Sequence, residues 1–511
     1  MYARSHGVAV VGVHGHPVAV EAHVGRGLPA LQLTGLPGAA VQDARERVRP
    51  AVENAGLEWP LRRVTVNLSP AEIRKDGPGF DLPVALAVLA ATAQIDRGRL
   101  AGYAAAGELS LEGGLVPTPG ILAVAWAARR AGLDGVIVPE GNAAEAALVE
   151  GIEVVGAPDL ARAVEFLRGT WRPDPPPPAV GPADGDARVD FSEVRGQGEA
   201  RRALEVAAAG GHNVLLLGPP GGGKTMLARR LPTILPAMTG EEALEVTRLH
   251  SVAGLLPPGT GLLGARPFRS PHHTVSPAGM LGGGSGAIRP GEVSLAHDGV
   301  LFLDEVTEFR RDVLEGLRQP AEDGRVTIVR ASGAVEYPAS FTLVAAGNPC
   351  PCGYEGDPRR RCDCLPHRAV SYRQRLSGPL LDRLDIRLLV PRLSKQELLG
   401  SAPGESSAAI RERVEAARAR QRARLRGSPF RSNAEMPGSA ARRAARLTAD
   451  GERAIGGAVE RLGLSGRGFD RTLKVARTIA DLAGADRVTR GHLMEALRFR
   501  GSELREGAGV R

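Results

Sequence analysis

The chain has 511 residues, 43% of them hydrophobic and 24% charged, an ordinary globular composition with room for about three domains. Its 65 Lys and Arg against 57 Asp and Glu leave a formal charge of +8 and a pI near 9.8, a mild bias toward an anionic partner at this length. Four cysteines exclude a disulfide scaffold. The opening Met1-Tyr2-Ala3-Arg4-Ser5-His6 lacks the apolar core of a signal peptide, and the uncharged run Leu82 to Ile95 is too short for a bilayer span. We expect a cytoplasmic protein with no membrane partner.

Over residues 1–172, β-like and helical patterns alternate, as in a mixed α/β domain. Val8 to Val13, Val18 to Val24, Val64 to Leu68 and Val136 to Pro139 read as strands. Gly38 to Gly56 reads as a helix with Val41, Ala44, Val48, Val52 and Ala55 on one face, and Phe80 to Ala91 and Gly120 to Ala131 are further helices. The order of these pieces resembles the S5-type proteolytic domain of Lon proteases. Glu72-Ile73-Arg74-Lys75-Asp76-Gly77-Pro78-Gly79 stands where that family carries a Lys-Asp-Gly-Pro-Ser nucleophile turn. Gly107-Glu108-Leu109 through Gly120, then Val136 to Glu140, follow in the same order. Gly79 takes the place of the serine, and Leu122 falls near that of the catalytic lysine. Without a nucleophile and its base, Ser-Lys chemistry has no route. The resemblance implies an inactive protease-like domain used for binding or assembly.

Residues 173–189 carry Pro173, Pro175, Pro176, Pro177, Pro178 and Pro182, the composition of a semi-rigid linker or of a long surface loop. Asp190 to Gln197 opens the next domain, 190–393, and Gly198 to Ala209 reads as a helix. The stretch Leu215 to Thr225 is then a buried strand, a glycine loop and a helix start. Gly218, Gly223, Lys224 and Thr225 fill the G-x-x-x-x-G-K-[ST] pattern of a phosphate-binding loop, whose cradle also takes in Pro219, Pro220, Gly221, Gly222 and Met226. Glycines let backbone N–H groups surround phosphate oxygens, and the helix N-terminus adds positive potential. Lys224 is expected to reach the β/γ-phosphates of ATP, and Thr225 to ligate Mg²⁺. Only Lys75, Lys224, Lys395 and Lys474 are lysines. Arginine serves elsewhere, so a lysine kept here points to a site needing a compact ammonium. The helix is expected to run from Thr225 to Leu231 and stop at Pro232.

About eighty residues further on, Val300-Leu301-Phe302-Leu303-Asp304-Glu305 is an apolar strand ending in two acids, as a Walker B segment requires. Asp304 would hold Mg²⁺, and Glu305 would polarise the attacking water. Phe341 to Pro349 is a third buried strand. Its Asn348 resembles the sensor 1 residue of AAA+ ATPases, although Asn before Pro is also a common turn former. Arg383, in Leu380 to Asp385, stands where AAA+ relatives place an arginine finger; the alternative is an ion pair with Asp382 or Asp385. From Ser394 to the end the chain reads as helical. Glu412 to Leu425, rich in arginine, is a basic or merely solvated face. Leu464 to Arg471 opens a helix resembling the AAA+ sensor 2 helix, so Arg467 or Arg471 would touch the γ-phosphate of the chain's own nucleotide.

Between the Walker segments lie Arg269-Ser270-Pro271-His272-His273-Thr274 and the glycine-rich Gly279 to Gly286. His272 and His273 are adjacent and expected to point apart, a poor metal pair. Arg325 to Arg330, a Ser332-Gly333 turn and Ala334 to Tyr337 read as a hairpin. Its arginines, with Arg269 and Arg289, are candidates for phosphate contacts. Cys350, Cys352, Cys362 and Cys364 form two C-x-C pairs nine residues apart. They can supply four thiolates to a structural Zn²⁺, or can be four free thiols in an arginine-rich loop.

The Walker segments, Asn348, Arg383 and the arginines at 467 and 471 together resemble the magnesium-chelatase-like AAA+ ATPases. With the protease-like domain, Arg269 to His273 and Cys350-Pro351-Cys352-Gly353, the chain resembles the YifB/ComM family over essentially its full length. That resemblance implies an α/β fold. A Lon-protease-like domain (1–172) would precede an AAA+ P-loop core (190–393) bearing the cysteine loop 350–364, and a helical lid of the Mg-chelatase C-terminal type (394–511) would follow. It also implies ATP and Mg²⁺ as cofactors, with Zn²⁺ as a candidate. The assembly would be a nucleotide-dependent homo-hexamer acting on single-stranded or branched DNA, with recombination proteins as candidate partners. Its work would be branch migration during homologous recombination and natural transformation. The alternative is a chelatase-type motor that remodels a partner protein; that class works with separate subunits, and its ATPase subunit lacks the N-terminal domain seen here. A Lon-like ATP-dependent protease is a third reading, opposed by Gly79 and Leu122.

Overall fold

Strands whose alternate residues are buried build two separate sheets in the computed structural model, which describes residues 1–175, 189–257, 259–284, 288–330, 333–357, 359–376, 378–394, 397 and 404–500. The linker prolines from Pro176 to Pro182, Ser285 and Gly286 of the glycine-rich run, the turn residue Ser332 and the tail past Glu503 lie outside the described residues.

The first sheet is mixed. β1 (Tyr2–Val11) and β2 (His14–Val24) form an antiparallel hairpin that turns at Gly12, φ +62°. They extend beyond the expected Val8–Val13 and Val18–Val24, because pairing continues through polar residues that alternate outward. β3 (Ala30–Thr34), β4 (Arg63–Ser69), β5 (Tyr103–Ala105), β6 (Gly135–Pro139) and β7 (Glu153–Ala157) complete the order β3-β4-β2-β1-β5-β6-β7. The helix expected over Gly38 to Gly56 is two, Ala39–Gln42 and Ala44–Asn54. Every residue of the helix Asp81–Ala91 is buried. Burial in this core therefore explains the uncharged run after Asp81, and among the described residues no helix is long and apolar enough to cross a membrane. Asp81 enters the core tied to Arg47, which donates from Nε at 2.7 Å and Nη2 at 3.1 Å.

The second sheet is all parallel: β8 (Val214–Leu217), β9 (Phe268–Arg269), β10 (Val300–Leu303), β11 (Thr342–Gly347) and β12 (Ile386–Leu389), in the order β9-β10-β11-β8-β12. β8 lies between two strands that come late in the chain. Its carboxyl end is thus a topological switch point, where open α/β sheets bind ligands. One face, with Val214, Leu216, Phe302, Val344 and Ile386, shares a core with the helices Gly198–Gly210, Lys224–Ile234, Ser407–Arg424 and Gly466–Leu482. The other face, with Leu215, Leu301 and Leu343, packs on the hairpin strands Arg325–Arg330 and Gly333–Pro338, and Val13 of the first sheet's hairpin joins that core. The two halves also meet where Arg248 Nη2 donates to the Val13 carbonyl at 2.8 Å and the Gly120 N–H to the Ser251 carbonyl at 3.1 Å.

The helix Ser407–Arg424 presents neither a purely basic nor a purely solvated face. Arg413 pairs with Glu205 at 2.6 Å and Arg424 with Asp481 at 2.6 Å, while Arg418 donates to the Ala208 carbonyl at 3.2 Å. These arginines tie the C-terminal helices to Gly198–Gly210 and to one another.

Asp190 makes a second tie. Its carboxylate accepts from the Ser192 N–H at 2.8 Å and the Ser407 N–H at 3.1 Å, clamping the start of the core to the start of the helix Ser407–Arg424. Burial alone would raise its pKa, but the hydrogen bonds from Ser192 and Ser407 bring it from 3.8 to about 2. A depressed folded pKa contributes stability above the unfolded value and loses it as pH falls through the folded one. Asp190→Ala is therefore expected to cost about 1 kcal/mol near neutrality, the value of a capping carboxylate. In thermal unfolding, the gap in Tm from the parent chain should close between about pH 4 and pH 2. A gap that does not change with pH would place the loss outside the carboxylate.

Candidate nucleotide site

The loop that follows β8 is shaped by its glycines. Gly221 and Gly223 have φ of +79° and +89°, a region costly for other residues. A Cβ on Gly218 would lie 2.1 Å from the Val390 carbonyl oxygen, so only glycine lets the loop lie against the end of β12. Left-handed glycines of this kind turn successive N–H groups toward a common anion. Gly223 caps the helix Lys224–Ile234 without a side-chain hydrogen bond, so the cap residue leaves the first-turn amides open to an anion. That helix passes through Pro232 and does not stop there as expected. Its core contacts, through Leu231 and Ile234, outweigh the proline penalty. Met226 packs against the same core.

Lys224 is buried and donates from Nζ to the carbonyls of Gly218 at 2.6 Å and Pro219 at 3.0 Å, and to Asn348 Oδ1 at 3.3 Å. Burial lowers its pKa, and the carboxylates of Asp304 and Glu305 act in the opposite direction. A buried ammonium whose direct partners are neutral oxygens suits a polyanion. Thr225 Oγ1 donates to Asp304 Oδ2 at 2.7 Å. A hydroxyl and a carboxylate side by side are hard oxygen donors of the kind Mg²⁺ takes beside phosphates. Asn348 follows β11, and Asp304 and Glu305 follow β10, so parallel pairing with β8 brings all of them to one edge of the sheet. The residues present therefore fit Mg²⁺ and a nucleotide triphosphate.

Glu305 sits in the left-handed region, φ +51°, with its side chain 60% exposed. His273 Nδ1 lies 3.9 Å from Glu305 Oε2. Its ring lies 4.1 Å from that of His272, tilted by 35° from it, and meets Phe309 edge-on. The expectation that the two histidines point apart is thus corrected: their rings lie against each other, 4.1 Å between centroids. His273 was not among the predicted site residues, and the signal was its motif from Arg269 to His273. Gln197 is a second such residue: Nε2 donates to the carbonyls of Gly222 at 3.2 Å and Pro391 at 2.7 Å, supporting the loop from below. Arg269, expected to contact phosphates, is instead held by Glu292 through two hydrogen bonds of 2.6 and 2.8 Å. It closes a local ion pair.

The remaining predicted arginines lie elsewhere. The Asp385 and Ile386 amides donate to the Asn213 carbonyl at 3.1 Å each, and Asn213 Nδ2 donates to the Arg383 carbonyl at 3.1 Å. Asn213 precedes β8 and the phosphate loop follows it. Arg383 is therefore at the amino edge of the sheet, about 13 Å of strand from the loop. Its partner is Glu322, not Asp382 or Asp385 as the alternative reading had it. Arg467 pairs with Asp382 at 3.2 Å, and Arg471 lies 3.7 Å from Asp382 and 3.8 Å from Asp385. Burial would raise the Asp385 carboxyl, but a hydrogen bond from His212 and the charges of His212, Lys474 and Arg471 hold it below its ordinary value. Arg383, Arg467, Arg471 and Lys474 line one cleft of about 1100 Å³ that no residue from 218 to 226 borders. This differs from the expected contact of Arg467 or Arg471 with the chain's own nucleotide. Asp382 and Asp385, just ahead of β12, hold both guanidinium groups at the sheet's amino edge.

At the Lon-like positions, the Gly79 carbonyl accepts from the Gly107 N–H at 3.0 Å, and a Cβ there would be 3.9 Å from Thr118 Oγ1. Leu122 is buried, and its N–H donates to Glu145 at 2.8 Å. Lys75 is buried too, its ammonium on the carbonyls of Gly35 at 2.9 Å and of Pro70.

Residues 190–398 match the family described as magnesium chelatase, subunit ChlI; residues 20–142 match one described as subunit ChlI of Mg-chelatase; and residues 404–500 match the C-terminal family of that subunit. The chain is similar to the uncharacterized protein YifB of Escherichia coli (strain K12), 43% identical over 501 residues that cover 97% of this chain and 96% of that one. It is similar to competence protein ComM of Haemophilus influenzae, 41% identical over 499 residues, 96% of each. A Lon protease of Mycolicibacterium smegmatis is 32% identical over 143 residues, 27% of this chain and 18% of that protein.

Proposed function

Because the chain belongs to the YifB/ComM family of magnesium-chelatase-like AAA+ ATPases, we propose that it is an ATP-driven DNA motor. In this reading it works as a nucleotide-dependent ring of six that promotes branch migration of recombining strands. The observation that carries the motor is the division of the site between the two edges of one sheet. Lys224, Thr225, Asp304, Glu305 and Asn348 gather at the carboxyl edge, and Arg383 stands at the amino edge. Head-to-tail copies would bring one chain's amino edge to the next chain's nucleotide, which is how heterologous contacts close into rings.

The residues then have distinct tasks. The loop amides and Lys224 would bind the phosphates, and Thr225 and Asp304 would hold Mg²⁺, which when bound would neutralise phosphate charge. Glu305 accepts a proton from the attacking water, Asn348 orients that water, and Arg383 stabilises charge on a neighbour's γ-phosphate. Arg467 and Arg471 share its cleft and so would serve the same neighbour. Residues 1–172 act as a docking domain without peptidase activity, since Gly79 and Leu122 supply neither nucleophile nor base.

DNA as the track is supported by likeness along the whole chain to a competence protein, by the charge of +8 and by the exposed Arg325 and Arg330 of the hairpin. A chelatase-type remodelling motor is the second reading, favoured by the family descriptions. The N-terminal match also bears the chelatase subunit's description, so that domain does not separate the two readings. The test is ATP hydrolysis with and without single-stranded and forked DNA at fixed salt. Several-fold stimulation that weakens as salt rises is expected of the DNA motor. Hydrolysis indifferent to every DNA would favour remodelling of a protein partner.

A further inference from the structure

The four cysteines, which the nucleotide chemistry leaves unused, come together in space. Their sulfurs all lie within 4.8 Å of one another. Cys350 is 3.4 Å from Cys352 and 3.6 Å from Cys362, and Cys352 is 3.5 Å from Cys362. All four are free thiols. These separations approach the edge of roughly 3.8 Å that four sulfurs each ~2.3 Å from one Zn²⁺ would have. An iron–sulfur cluster divides its thiolates among several irons and holds them further apart. The Cys352 and Glu355 N–H groups donate to the Cys364 and Cys350 sulfurs at 3.4 Å each, the outer hydrogen bonds that orient metal-bound thiolates. Among the described residues of the loop, only Cys350 and Gly353 are buried. The loop thus lacks an apolar core of its own, the situation in which a metal supplies folding energy.

This loop is in contact with the phosphate loop. A Cβ on Gly353 would lie 2.6 Å from Pro220 Cδ and 3.7 Å from Asn348 Cγ. Arg392 ties the same proline to the cysteine loop: its Nε donates to the Pro220 carbonyl at 3.1 Å, and its guanidinium lies 5.2 Å from the Tyr354 ring and 3.6 Å from Asp357. We propose that Cys350, Cys352, Cys362 and Cys364 bind one structural Zn²⁺, and that the metal-held loop braces Pro220 and Asn348 so that nucleotide affinity depends on the metal. The second half rests on the reading of Lys224 and its loop as the nucleotide site; the first does not.

The full-length protein, purified without added metal, is titrated with p-hydroxymercuribenzoate beside a zinc-sensitive dye, and its metals are identified by mass spectrometry. One zinc released per chain is expected from the parent and from Lys224→Ala, and none from the double variant Cys352→Ser/Cys362→Ser. No zinc in the parent, or another metal in its place, overturns the site. The zinc-stripped parent is then expected to bind a fluorescent ATP analogue about tenfold more weakly, the loss of roughly one charged hydrogen bond, and to recover on adding Zn²⁺. Gly353→Ala keeps every cysteine and should keep its zinc, yet a Cβ 2.6 Å from Pro220 Cδ, on a backbone with φ +83°, forces the loop away from Pro220 and weakens the analogue similarly. Unchanged affinity in both overturns the coupling, and Gly353→Ala decides it if the stripped protein unfolds. Should the parent bind no nucleotide at all, the nucleotide reading fails while the zinc count still decides the site.

Discussion

Glu305→Gln should hydrolyse ATP on the order of 10²–10⁴ times more slowly than the parent chain, the range for losing a general base, while binding the nucleotide about as tightly. β10 is buried along its whole length, so the two acids that follow it emerge at a fixed place. They emerge in different directions. Asp304 is tied to Thr225 at 2.7 Å, whereas Glu305 turns through a left-handed residue and points outward. The amide of glutamine fills the same space and cannot take a proton. In the proposed site binding rests on Lys224 and the loop amides, which the substitution leaves alone. Turnover at saturating ATP and titration with a fluorescent analogue separate the two effects. Turnover close to the parental rate would show that Glu305 is not the base, and would turn attention to His273 beside it. Lys224→Ala is the contrasting variant, in which affinity itself should be lost.

Arg383→Ala is expected to lower kcat by about 10³–10⁵, the contribution of an arginine finger, and to regain activity when mixed with Lys224→Ala. On the proposed reading neither variant alone has a complete site. In a mixed head-to-tail ring, a subunit with Lys224 can stand against a neighbour with Arg383, and random mixing makes about a quarter of the interfaces complete. The expectation comes from the sheet: Arg383 is bonded to Asn213 at the start of β8, and the phosphate loop leaves its end. A side chain there does not reach its own chain's γ-phosphate. In the single chain Arg383 is held by Glu322, and its buried Nε has no hydrogen-bond partner among the described residues, so forming the proposed ring would exchange that partner. If the mixture stays as inactive as its components, Arg383 does not act between subunits. A loss of thermal stability with turnover intact would make it the structural ion pair instead.

The phosphate loop was legible because strand, glycines, lysine and threonine are contiguous, and local backbone geometry is enough to form the cradle. Asp304, Glu305 and Asn348 were legible for a related reason. Each ends a short apolar run, and parallel pairing of such runs brings their ends to one edge. The strands β3, β5, β7, β9 and β12 were not legible. β9 is only the pair Phe268–Arg269, and a pair of residues carries no period; its pairing with β10 makes it a strand. The hairpin was legible from two β-like runs flanking a Ser-Gly turn signal.

What the sequence determined by itself was therefore the set of reactive groups and the segments that carry them, because both depend on neighbours a few residues apart. What the tertiary structure decided was who faces whom. An arginine has the same sequence signature whether it meets Glu292, as Arg269 does, or a buried carbonyl, as Arg418 does, or the cleft of Arg383, Arg467 and Arg471. The partner is set by contacts between residues far apart in the chain, and a long-range contact leaves no spacing to read.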